Sequence, residues 1–130
     1  MRTAVSPGSF DPITRGHVDG NARASVVFDR LVVAVLVNTR KKPTFEVEER
    51  ADLISRAVAA ELAPEAIERI EVITYDGLTV ELARDHGAHS IVRGLRALSD
   101  FENEQAIAHL TRQLAPEVDT VFFMTGIEHA

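Results

Sequence analysis

The chain has 130 residues, a length expected to form one domain with a real core, and its net charge of −6 argues against broad, nonspecific nucleic-acid binding while leaving room for a local basic site for an anionic metabolite. It contains no cysteine, which excludes a disulfide framework and a thiolate zinc site. The longest apolar run, Leu31 to Val37, is too short to cross a bilayer, and no basic-then-apolar leader pattern opens the chain, so no membrane partner and a cytoplasmic location are expected.

Thr3 to Ser6 reads as a first strand. A turn-rich loop, Pro7 to Thr14, separates it from a helix expected over Gly16 to Val27. A helix that opens after such a loop presents unpaired N–H groups and its positive dipole end, a natural place for phosphate. Leu31 to Val37 is continuously apolar, as expected of a strand buried on both faces of a parallel sheet. Asn38 to Phe45 is a basic loop with Arg40, Lys41 and Lys42. Glu46, Glu48 and Glu49 crowd the start of a second helix running to about Leu62, where Pro64 interrupts the pattern. Ile70 to Ile73 is a third strand, Leu78 to His86 a helix with Gly87 as its C-cap, and Ser90 to Val92 a fourth strand. Arg93-Gly94-Leu95-Arg96 then reads as a loop, and Ser99-Asp100-Phe101-Glu102 as a capping box opening a helix to about Leu114. Thr120 to Met124 is a fifth strand.

Strands alternating with helices predict an α/β fold, a Rossmann-like five-stranded parallel sheet with helices on both faces. Ligands of such sheets bind at the C-terminal strand ends, near the switch in strand order. The loops after strands one to four, carrying Gly8, Lys41, Gly77 and Arg93, converge there. His17 alone would read as an exposed polar residue, but after a Pro/Gly-rich loop it suits a donor to a phosphate oxygen. Lys41 and Lys42 read either as solvated loop lysines or as a phosphate clamp. Arg93 and Arg96, three apart, suit phosphate forks, and Glu104 is available as a polar contact. His86, His89, His109 and His129 lack metal-like spacing, Phe122 and Phe123 read as core, and neither GxxxxGK[ST] nor GxGxxG occurs.

Pro7-Gly8-Ser9-Phe10-Asp11-Pro12 followed by Thr14-x-Gly16-His17 resembles the (H/T)xGH signature of the nucleotidyltransferase superfamily. More closely, the chain resembles the bacterial phosphopantetheine adenylyltransferases. The likeness continues through Phe28-Asp29, Lys41-Lys42-Pro43, Phe45 with Glu48-Glu49-Arg50, Asp76-Gly77-Leu78, and Arg93-Gly94-Leu95-Arg96 with Asp100-Phe101-Glu102. The resemblance implies transfer of AMP from ATP to 4'-phosphopantetheine, giving dephospho-coenzyme A and pyrophosphate with Mg2+, the penultimate step of coenzyme A synthesis. It implies His17, Lys41 and Arg93 as catalytic residues. It implies Ser9, Phe10, His17, Gly94, Leu95, Arg96 and Glu104 at ATP, and Ser9, Lys41, Thr79 and Arg93 at phosphopantetheine. Coenzyme A is a further implied ligand, and the implied assembly is a homohexamer. Asn103 stands where the family often has Tyr. The family continues past Gly126 to Ala130 into an ISSS-type segment and a helix, so a single nucleotidyltransferase domain, C-terminally shortened, is expected. Two other readings stay open: the same chemistry with another acceptor, such as nicotinamide mononucleotide or a polyol phosphate, and a non-catalytic nucleotide- or coenzyme A-binding protein.

Overall fold

The computed structural model describes residues 1–10, 13–37, 45–95 and 98–124. Its centre is a five-stranded parallel sheet of β1 (Thr3–Gly8), β2 (Arg30–Leu36), β3 (Ile70–Tyr75), β4 (Ser90–Leu95) and β5 (Asp119–Met124), in the order β3-β2-β1-β4-β5. Alternation along each strand sends its side chains into two helical layers. Ala4, Leu31, Val33 and Val35 pack with Ala24 and Phe28, and with Ile54 and Val58, beneath α1 (Arg15–Val27) and α2 (Val47–Glu61). Val5, Val32, Ala34 and Ile91 pack with Val80, Leu82 and Ala83 of α4 (Thr79–Asp85), and with Ala115 just after α5 (Leu98–Leu114). This is the doubly covered sheet expected from the strand–helix alternation.

Local rules place most helix ends. Glu48 and Glu49 fill the first turn of α2, and Glu46 is its N-cap. Gly87, at φ +64, ends α4 with paired bonds from Gly87 N–H to Arg84 O and from Ala88 N–H to Ala83 O, the Schellman arrangement that favours glycine. Pro64 does more than interrupt the preceding helix. It sits at the start of a separate short helix, α3 (Pro64–Arg69), where its missing N–H costs nothing.

Several boundaries differ from expectation. Pro7 and Gly8 belong to β1 rather than to the loop after it, paired with Ala34 and Val35 of β2. Ser99 is the second residue of α5 rather than its N-cap. Arg93, Gly94 and Leu95 lie in β4, not in a loop after it, because β5 pairs with that strand residue by residue from Ser90↔Asp119 to Leu95↔Met124. Pairing with an apolar neighbouring strand overrides the poor strand preference of an Arg-Gly pair.

The registers explain where the sheet opens. β1 pairs with β2 from Thr3↔Arg30 to Gly8↔Val35, yet with β4 only at Ala4↔Ser90 and Val5↔Ile91. Beyond these residues β1 and β4 part, at the point where the strand order reverses. Among the described residues no helix is long and apolar enough to cross a membrane.

The core makes a direct prediction. Ile54 is fully buried, so Ile54→Ala is expected to cost about 2–5 kcal/mol in urea unfolding. Val26→Ser, on the exposed face of α1, should stay within about 0.5 kcal/mol of the parent.

Candidate active site

A cavity of about 410 Å3 occupies the gap between β1 and β4. Its walls are Ser6 to Phe10 from β1 and the loop after it, His17 and Asn21 from α1, Arg93 and Gly94 from β4, and Glu104 from α5. Phe123 of β5 and Val92 of β4 add apolar surface.

The start of α1 shows why Thr14 and His17 are three residues apart. Thr14 is the N-cap, and its Oγ1 accepts from the His17 backbone N–H at 3.2 Å. The His17 ring reaches back, with Nδ1 accepting the Thr14 backbone N–H at 3.0 Å. This is a capping box with histidine in the position usually held by Glu or Gln. A backbone N–H can only donate, so Nδ1 uses its lone pair and the neutral ring carries its proton on Nε2. One pair of hydrogen bonds therefore starts the helix and selects the tautomer.

Phe10 sets the ring from the side. Its centroid lies 5.0 Å from that of His17 in an edge-to-face arrangement at 81°. Phe10 is 5% exposed, belongs to the core under α1 and α2, and holds a left-handed backbone at φ 46. Burial of the ring offsets the strain of that conformation. Gly8 allows the approach, since a Cβ there would lie 3.1 Å from two Phe10 ring carbons.

Across the cavity, Arg93 Nε stands 3.5 Å from Glu104 Oε2, with both side chains about four-fifths buried. Oε2 is buried and makes no hydrogen bond among the described residues, so the contact is Coulombic without a short bond. Glu104 thus holds Arg93 at the cavity wall while leaving its guanidinium able to take a phosphate as a fork.

The structure brings Ser9, Phe10, His17, Arg93, Gly94 and Glu104 to one cavity. Leu95 ends β4 beside them in sequence. Thr79 opens α4 after β3 and does not line this cavity. Lys41 and Arg96 lie outside the described residues. Among the described residues no group of three or more His, Cys, Asp or Glu could hold a metal ion.

Two contributors received no role from the motifs, although Arg50 closes the run Glu48-Glu49-Arg50. Arg50 is 5% exposed, and its Nη1 donates to Ser9 O at 2.8 Å and Leu36 O at 3.4 Å. It pins the loop after β1 to the end of β2. After two glutamates on a helix it looks like a solvated ion-pair partner, and only the fold buries it. Asn21 lies four residues after His17, on the same face of α1. An asparagine inside a helix was its available signal, since that residue is a poor helix former.

Comparison with known proteins decides among the chemistries this cavity permits. The cytidylyltransferase-like family model matches residues 5–129. The phosphopantetheine adenylyltransferase of Desulforudis audaxviator is 48% identical over 130 residues, covering 100% of this chain and 76% of that protein. The chain belongs to the phosphopantetheine adenylyltransferase family. The enzyme of that name from Synechococcus sp. (strain CC9902) is 47% identical over 127 residues, covering 98% of this chain and 74% of its own. The fold is also that of the Plasmodium falciparum nicotinic acid mononucleotide adenylyltransferase complexed with NaAD, with TM-score 0.69, 16% identity and coverage of 97% of this chain and 65% of that one.

The contact between Gly8 and Phe10 is testable. In Gly8→Ala the added methyl must displace the Phe10 ring and with it the His17 ring. The expected result is a fall in kcat/KM of roughly ten- to a hundredfold, the scale of a small misplacement in a site, while circular dichroism still shows a folded α/β chain.

Proposed function

We propose that the cavity between β1 and β4 transfers the adenylyl group of ATP to 4'-phosphopantetheine. An oxygen of the phosphopantetheine phosphate attacks the α-phosphorus of ATP, the bond from that phosphorus to the bridging oxygen breaks, and pyrophosphate leaves. The products are dephospho-coenzyme A and pyrophosphate, the penultimate step of coenzyme A synthesis. Such transfers need alignment and charge neutralisation more than covalent chemistry from the protein.

The observation that carries the reading is the reciprocal Thr14–His17 pair at the cavity. It supports a neutral His17 whose Nε2–H donates to the α-phosphate oxygen, a contact that strengthens as charge builds. Arg93 takes the phosphate of phosphopantetheine, and Lys41 neutralises the reacting phosphates. Ser9 and Phe10 shape the loop that both substrates meet. Gly94, Leu95, Arg96 and Glu104 face ATP, and Thr79 meets the pantetheine arm through its backbone. The described residues form no cage for a metal, so Mg2+ fits here as part of MgATP, carried mainly by phosphate oxygens. When bound, that ion neutralises triphosphate charge. The domain spans the whole chain, works in the cytoplasm as a homohexamer, and also takes coenzyme A as a ligand.

A pyrophosphate-release assay with phosphopantetheine, nicotinamide mononucleotide and polyol phosphates tests the assignment. Turnover is expected with phosphopantetheine, and turnover with another acceptor alone overturns it. In the same assay His17→Ala should lower kcat roughly 10²- to 10³-fold with ATP affinity little changed. His17→Gln, which keeps a capping-box residue, should retain the parent's melting temperature yet lose activity. An increase in KM at unchanged kcat would contradict the role given to His17.

A further inference from the structure

Gly20 is a glycine that the fold does not call for. It is the sixth of the thirteen residues of α1, a helix-interior position where glycine is less stable than alanine. Among the described glycines only Gly77 and Gly87 have positive φ, so the backbone at Gly20 suits any residue. A Cβ added there would meet no atom of the described residues within 4 Å. Neither conformation nor packing requires the bare backbone.

The missing side chain belongs to the cavity. Successive helix residues turn by about 100°, which puts Gly20 between Gly16 and His17 around α1, and all three line the cavity. Gly20 is half-buried, so its surface there is open to a ligand. Gly94 of β4 lines the same cavity with the same economy. It shares a strand face with Val92, which packs in the core beneath α1 and α2. The nearest atom to a Cβ on Gly94 would be Phe123 O, at 4.0 Å. Glycine inside a strand gives up packing and marks a close approach by another group. Two bare backbones thus leave a slot between helix and strand.

The chemistry of the slot selects its occupant. The start of α1 and Arg93 suit phosphate. Gly20 lies one turn beyond His17, a rise of about 4.5 Å. It sits one turn before Ala24, which packs in one cluster with Val92, with Phe123 against it. The cavity therefore grades from polar at the helix start to apolar beside Gly20. A narrow apolar slot suits a flat ring. Of the two substrates proposed above, ATP carries such a ring and phosphopantetheine is acyclic.

We infer that Gly20 is a specificity-determining residue: its absent side chain holds open, against Gly94, the slot that takes the purine of ATP. The inference rests on the reading of this cavity as an ATP site.

Calorimetric titration of the full chain tests it, in the parent, Gly20→Ala and Gly20→Leu. The ligands are ATP, ribose 5-triphosphate, which lacks the base, and 4'-phosphopantetheine. The parent should bind ATP roughly tenfold more tightly than ribose 5-triphosphate. Gly20→Ala should weaken ATP binding roughly fivefold, and Gly20→Leu roughly ten- to a hundredfold, down to the level of ribose 5-triphosphate. Phosphopantetheine affinity should not change. Without ligand, Gly20→Ala should melt roughly 2–6 °C above the parent, because alanine is the better helix former and its methyl meets nothing. A glycine kept for packing would give the opposite sign. Gly20→Ala decides the question if the larger side chain prevents folding. Unchanged or tighter ATP binding by Gly20→Ala, or a lower melting temperature, overturns the inference. Equal affinity of the parent for ATP and ribose 5-triphosphate, or a loss shared by ribose 5-triphosphate or phosphopantetheine, also overturns it. If the parent binds no ATP, the nucleotide reading itself fails, whereas ATP binding insensitive to residue 20 leaves that reading standing and sinks this one.

Discussion

The parting of β1 from β4 is the constraint on which the site depends. β1 is the middle strand and keeps its full ladder with β2, but pairs with β4 at only two residues. The backbone groups beyond Val5 on that side face a gap instead of a neighbouring strand. Ser9, Phe10, His17, Arg93, Gly94 and Glu104 are arranged around the gap. The loop after β1 turns over it, α1 starts at its rim, and Arg93 and Gly94 form its far wall because β5 continues β4 to Leu95. A parallel sheet buries both faces, so the rim of a split between two strands is the natural place for polar groups to meet.

Around that rim, single contacts serve folding and chemistry together. The hydrogen bonds that satisfy the first turn of α1 also decide which nitrogen of His17 carries the proton. Arg50 brings a buried positive charge to two backbone carbonyls and so ties the end of β2 to the loop after β1. Glu104 keeps Arg93 at the wall without engaging it tightly. Arg50 and Glu104 lie on helices, which places the groups they hold more firmly than loop residues could place themselves.

Much of this was legible in the order of residues. The apolar run from Leu31 and the strand–helix alternation specify a doubly covered parallel sheet, because both follow from burial alone. Pro7 to His17 reads as a loop and a helix start for local reasons, and the helix start appears where Thr14 and His17 cap α1. The lengths of β1 and β4 were not legible, since Pro-Gly and Arg-Gly pairs resemble loops until a partner strand is known. Arg50 and Asn21 were hidden for a related reason. Their side chains are typical of solvated helix faces, and only the crossing of α2 over β2, and of α1 over the gap, puts them inside. Family membership then chose the acceptor, which the geometry of a phosphate site leaves open.

The left-handed backbone of Phe10 has a consequence for how the site comes into being. The residue departs from ordinary geometry at the cavity wall, yet its ring is an integral part of the packing under α1 and α2. The turn cannot relax without withdrawing that ring, and the ring cannot leave without opening the core. The backbone at Ser9 and Phe10 therefore shares the cooperativity of the whole domain, and its amides should exchange with solvent through the same global opening that exposes β2. In this chain a correctly shaped site and a folded core are one event.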